Sequence, residues 1–205
     1  GVVCAVLALG VFLLHRFELG DLPRNRLGTA GLEQPIAFTF EIGDLSQRAL
    51  FDSNALDWTP SPMAGVERRL LDRRGGEVAR ATSIVRYAPG SSFERHGHGG
   101  GEEFLVLEGV FSDELGHYPA GTYVRNPVGS SHAPFSQEGC TILVKLQQMH
   151  QADQQRVVIH TATSTWVPGL VLGLEVLPLH AHGPEHVALV RWAPGTVFQA
   201  HSHAG

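Results

Sequence analysis

Only two cysteines occur in 205 residues, and Cys4 and Cys140 stand far apart in unlike surroundings. No disulfide framework and no cysteine-rich zinc site can be built from them, and their scarcity fits a reducing, cytoplasmic setting. Charge is also sparse: 17% of residues are charged, and the 15 Lys and Arg are scattered among 20 Asp and Glu, giving a net charge of -5. A nucleic-acid partner needs a basic patch or stripe, so none is expected. Long apolar runs are missing as well. The most apolar stretch, VVCAVLALGVFLL from Val2 to Leu14, falls short of the roughly 20 residues that span a bilayer. It reads as a buried helix or strand rather than a membrane anchor.

Beyond that stretch no convincing amphipathic helix is visible. The chain instead holds 24 Gly and 12 Pro among short Val, Leu and Ile runs, the pattern of many strands joined by tight turns. ATSIVRYAPGSSF is a strand ended by a Pro-Gly turn, EEFLVLEGVF is another, and TILVKLQQ from Thr141 to Gln148 is a third. Residues 1–35 form the apolar segment and an Arg, Gly and Pro rich linker. From Ile36 onward the pattern is β-like throughout.

An internal repeat organises the rest. VRYAPGSSFERHGHGG from Val85 to Gly100 recurs as VRWAPGTVFQAHSHAG from Val190 to Gly205, at an offset of 105 residues. Upstream, Trp58, Pro60, Glu67 and Gly75 match Trp166, Pro168, Glu175 and Gly183 at an offset of 108, so the second copy has lost three residues in one loop. The expected organisation is a complete domain over 36–150 and the first part of a second over 151–205. That second copy holds counterparts of His96 and His98 but none of Glu102 or later residues, which reads as part of a longer natural chain. Its early strands are expected to lean on the first barrel, with ALVRWAPG pairing at an edge of its sheet or of another chain.

GSSFERHGHGGGEEFLVLEG, Gly90 to Gly109, carries the chemistry. His96 and His98, two residues apart on a strand, project to one face. Gly99 to Gly101 permit a sharp turn, after which Glu102 can return to that face at the start of the next strand. His132, in NPVGSSHAPF, is the best candidate for a fourth ligand. Imidazoles with one carboxylate suit Zn, Fe, Mn, Ni or Cu rather than Ca or Mg.

These spacings resemble the cupin superfamily. Gly90, His96, His98, Glu102 and Gly109 fit every position of its first motif, and Gly121, Pro127, Gly129 and His132 fit the second, where Ser136 stands in place of the usual Asn. The resemblance implies an all-β jelly-roll barrel with the metal inside its mouth. The wording from Arg86 to Pro134 is most similar to the cupin domain of ChrR-type anti-sigma factors. That resemblance implies one divalent transition metal, zinc foremost with Fe, Mn or Ni as alternatives, and a sensory role. No Cys-x-x-Cys and no helical domain precede the cupin here, so a sigma factor is expected as partner only if such a domain exists elsewhere.

The remaining candidates have plainer readings. Glu103 is the oppositely facing neighbour of Glu102, and His117 belongs to the surface. His180 and His182 are expected to face solvent, because the first copy offers Asp72 and Arg74 at those positions. His201 and His203 are remnants of a second site, empty or weakly occupied. Tyr87, Tyr123 and Arg125 flank the motifs as cross-strand packing, with ligand contact as the alternative, and Trp58 and Trp166 anchor the core. Three functions therefore stand open: a metal-binding regulatory cupin, a metal-dependent dioxygenase, and a structural bicupin whose metal only ties strands together. A small molecule in the barrel and a second copy of the chain are the expected partners.

Overall fold

The computed structural model describes residues 2–7 and 11–15 as backbone, and residues 52–76 and 78–200 in full. The expected linker up to residue 35, the first residues of the expected domain, 36–51, and His201 and His203 lie outside the described residues. Apart from one short 3₁₀ turn at Ser53–Ala55, the described elements are strands. The first are β1 (Val2–Leu7), β2 (Val11–His15), β3 (Thr59–Pro60), β4 (Val66–Arg74), β5 (Arg80–Tyr87), β6 (Ser91–Ser92) and β7 (His96–His98). Then come the long β8 (Glu102–Asp113), β9 (Gly116–Pro119), β10 (Thr122–Asn126), β11 (Ser130–His132), β12 (Phe135–Ser136) and β13 (Cys140–Leu146). The chain continues through β14 (Val157–His160), β15 (Val167–Pro168), β16 (Leu174–His182) and β17 (Glu185–Trp192). No helix among the described residues is long and apolar enough to cross a membrane.

The main sheet runs β14-β10-β8-β13-β5-β4-β3, all antiparallel, and β8 extends past it to pair with β9 and β12. Its two faces are both covered, which is why its strands read as nearly continuous apolar runs. On the inner face Val66, Tyr87, Phe104, Val106, Val124, Cys140, Ile142 and Val144 close on Phe111 and Tyr118. Residues one step along the same strands, Leu71, Ile84, Leu105, Tyr123 and Leu143, form an outer cluster with Leu177, Leu179, Val187 and Leu189 of β16 and β17. Each of those four side chains contributes about 1.5–3 kcal/mol by leaving water.

The sequence repeat is also a repeat of geometry. β15-β16-β17 copies β3-β4-β5 down to the bulge, which falls between Pro178 and His180 in one and between Leu70 and Asp72 in the other. Arg86 stacks on Trp58 and pairs with Glu67, and Arg191 stacks on Trp166 and pairs with Glu175. Contrary to expectation, this second hairpin does not extend the edge of the first barrel's sheet. It lies face-on against the outer cluster, and the edge of β17 is taken by β1, which in turn pairs with β2. Packing face-on buries the apolar side of the hairpin as well as its neighbour's, which edge pairing alone would leave wet.

A buried ionic cluster joins the two copies. Arg125 has no exposed surface; it donates to Glu103 at 3.0 Å, to Asp153 at 2.7 Å and to Glu185 at 3.1 Å. Tyr123 and Lys145 also reach Glu103. His180, expected to face solvent, is buried here with Nε2 at 2.8 Å from Asp153, because the bulge in β16 turns it inward. His182 is partly exposed, 3.9 Å from the same carboxylate. Removing one partner from such a cluster strands the others, so Arg125→Ala is expected to cost about 3–5 kcal/mol in urea unfolding. At Arg74, exposed at the end of β4, the same change should stay within about 0.5 kcal/mol.

Candidate metal centre

β7 and β11 form a two-stranded ribbon in which His132 lies opposite His96, and Ser130 opposite His98. Alternation on β7 puts His96 and His98 on one face, as their spacing requires. The three rings stand edge-on to one another, with centroids 4.8–5.1 Å apart. Their nearest nitrogens all lie within 4.8 Å of one another. Glu102, the first residue of β8, brings Oε2 to 3.5 Å from Nε2 of both His98 and His132. The turn before it depends on Gly101, at φ +76°, where an added Cβ would stand 2.3 Å from the Met149 sulfur. All four residues singled out by the motif thus converge on one point, three of them buried and His96 partly open.

Hydrogen bonding orients the rings. Nδ1 of His132 lies 3.1 Å from Asp113 and Nδ1 of His96 lies 2.8 Å from the Glu94 carbonyl. Since those oxygens only accept, both Nδ1 atoms carry the proton and both Nε2 atoms present lone pairs. Nε2 of His98 and Nε2 of His132 are enclosed and have no hydrogen-bond partner. Two enclosed imidazole nitrogens beside a carboxylate, with a third imidazole edge-on to both, fit a divalent cation. The residues present therefore fit the transition metal that the donor set implies.

Charge in the centre follows from its surroundings. Burial holds the His98 imidazole below its ordinary value, His132 and His96 adding to the effect and Glu102 opposing it. Burial also works against a charge on His132, but its hydrogen bond to Asp113 and the charges of Glu102 and Asp113 outweigh this and raise it. Asp113 is buried too, yet its bonds to His132, to the Leu115 amide and to Tyr118 keep it ionised below the usual carboxylate range.

Asp113 and Asn126 were not legible in the sequence. Asn126 donates to Glu102 at 3.0 Å. Ser136 bonds the Val110 carbonyl. Asp113 accepts from Tyr118, which Arg156 supports in turn. β8 brings both of its ends, Glu102 and Asp113, to the same His132 by wrapping around the barrel. Gly109 makes the bend possible: at φ +69°, with a register shift beside it, an added Cβ would stand 2.0 Å from the Gly139 carbonyl. Of the other candidates, His117 is exposed and bonds Ser112, while Glu103, Tyr123 and Arg125 belong to the ionic cluster on the opposite face.

The sequence profile of the ChrR cupin-like domain matches residues 46–150 and 154–205, most of the chain. The chain belongs to the ChrR cupin-like family. No curated protein matches it. The anti-sigma factor ChrR of Rhodobacter sphaeroides, solved in complex with SigE, is 28% identical over 45% of this chain and 50% of its own, with a TM-score of 0.39. A candidate dioxygenase from Nostoc punctiforme is 16% identical over 68% of this chain and 59% of its own, with a TM-score of 0.56. A candidate glyoxylate-induced protein from Pseudomonas aeruginosa is 12% identical over 67% of this chain and 60% of its own, with a TM-score of 0.52. At such identities the last two likenesses speak for the fold alone. For this ChrR-like chain the fold is the all-β cupin barrel that its motifs imply.

Two outcomes test the centre. Asp113→Asn keeps the shape but weakens the orientation of His132, and should lower zinc affinity about 10- to 100-fold in chelator competition. Affinity should also fall with pH from the His132 side. A ligand imidazole must be neutral, so a raised value starts the loss above about pH 6.5, whereas His98 stays neutral to lower pH.

Proposed function

We propose that this chain is a metal-binding regulatory cupin, with zinc held by His96, His98, Glu102 and His132 and a small molecule entering the barrel as its signal. One observation carries this reading: two enclosed imidazole nitrogens without partners face the carboxylate of Glu102. When bound, the metal would supply a Lewis-acidic centre held by these four residues. The protein's own part is to aim three imidazoles at one point and to fix the Glu102 carboxylate through Asn126.

Acid or base catalysis beside the centre would need an unengaged group to move a proton. The nearest acid in sequence, Glu103, is unavailable for that work, since it faces away and is bound by Arg125, Lys145 and Tyr123. Signal binding that alters the barrel is the function this arrangement supports best. The second copy, packed on the outer face, is the element through which such a change would be passed on.

Metal analysis of protein purified without added metal is the test. One zinc per chain is expected, lost in His132→Ala and kept in His117→Ala. If the protein retains iron instead, and iron(II) under air drives oxygen uptake with a diketone, the chain is a dioxygenase and the regulatory reading fails.

A further inference from the structure

We propose that Arg68 and Tyr87 form an anion-recognition site inside the barrel, so that the molecule entering it carries a carboxylate or enolate on an apolar body. The inference deepens the regulatory reading and rests on it for the neighbouring metal. Its observations, however, concern two side chains that the metal centre does not use.

Arg68 lies on the inner face of β4. Its neighbours Glu67, Arg69 and Leu71 face outward, where Glu67 pairs with Arg86, Arg69 stacks on Trp58 and Leu71 joins the outer cluster. Val66, two residues before Arg68, belongs to the inner cluster, and Val85 directly opposite Arg68 packs against that cluster. The guanidinium is always charged and offers five donors. Its Nε is enclosed and bonds no described residue; Nε of Arg69 and of Arg80 share that state, but Arg69 is held through another nitrogen by the Asn54 carbonyl and Arg80 by Asp72, whereas Arg68 forms no hydrogen bond or ion pair with any described residue. Among the described residues, Glu102 and Asp113, the acids of the metal centre, are already engaged, by Asn126 and by His132, Tyr118 and Leu115.

Tyr87 lies diagonally across from Arg68 on the same face, opposite Val66. The chain has three tyrosines, all buried. Tyr118 donates to Asp113 and Tyr123 donates to Glu103, whereas the Tyr87 hydroxyl bonds no described residue. Its ring stands edge-on to Phe111 at 5.5 Å, and Phe111 also meets His132 at 6.1 Å. Tyr87 and a metal ligand therefore flank the same ring. Burial, then the charges of Glu102 and Cys140, keep the phenol protonated, so it can only offer its hydrogen to an anion. Arg68, opposite Val85, and the Tyr87 phenol, edge-on to Phe111, each without a hydrogen bond to any described residue, match a carboxylate or enolate on an apolar body.

Benzoate is a suitable probe, with benzamide as its uncharged counterpart, titrated calorimetrically into metal-free and zinc-loaded protein. Saturable binding of benzoate to both forms is expected, with benzamide weaker by about tenfold or more, the worth of a charge-assisted bond. Arg68→Gln should lose about tenfold and Tyr87→Phe less, while Arg69→Gln, on the outer face, should bind as the parent does. In the unmodified protein, benzoate should shield Arg68 from phenylglyoxal as read by peptide mass, which keeps the test open if a variant fails to fold. Absence of saturable binding, or benzoate affinity unchanged in Arg68→Gln, overturns the proposal. Zinc stoichiometry on the same samples separates the two readings: zinc without benzoate sinks only the anion site, and benzoate without zinc sinks only the metal centre.

Discussion

A guanidinium with no exposed surface can persist only where acceptors surround it, and Arg125 imposes that condition on three separate parts of the chain. Glu103 comes from β8, Asp153 from the loop between β13 and β14, and Glu185 from the start of β17. The first copy and the second are thereby tied together at a charged point within an apolar interface. The same constraint reaches the metal centre from behind. Arg125 pairs across the ladder with Glu103, and the next pair along is Asn126 with Glu102. Side chains alternate, so the register that buries the ion pair on one face sets the metal carboxylate and its amide partner on the other.

β8 is where the two faces are coupled. Its first residues carry Glu102 inward and Glu103 outward, and its last carries Asp113 back to His132. Only a strand bent through Gly109 can do this. A straight strand would put its two ends roughly 35 Å apart, far beyond the width of a small barrel. The tightness of the site thus depends on a residue that touches none of its ligands.

The interior separates its polar groups by whether they are satisfied. Asp113, Tyr118, Asn126 and Ser136 are bonded within the described protein, and each fixes a neighbour. The enclosed nitrogens of His98, His132 and Arg68 are not, nor are Nε of Arg69 and Arg80, Oδ1 of Asp72 and Oγ of Ser130. Of these, the two imidazole nitrogens and Arg68 belong to side chains on the inner side of the barrel, where a bound group could complete them. The regulatory reading and the anion site are two consequences of that one pattern.

What the sequence by itself determined was local. Spacing of two puts His96 and His98 on one face, glycines at 99–101 allow Glu102 to return, and the Pro-Gly turn delivers His132, so the quartet was legible before any coordinates. The repeat was legible too, down to the matching of Trp58 with Trp166. The roles of Asp113, Asn126 and Asp153 were not, because a partner more than a dozen residues away leaves no periodic trace. His180 was misread for the same reason: its counterpart Asp72 says nothing about burial, which depends on a bulge and on a carboxylate from another loop. Whether the second hairpin would lie on the face or along the edge of the first sheet was likewise open, since the apolar pattern is the same for both. Tertiary packing decided it, because only face-on stacking covers both the apolar outer cluster and the charge of Arg125 at once.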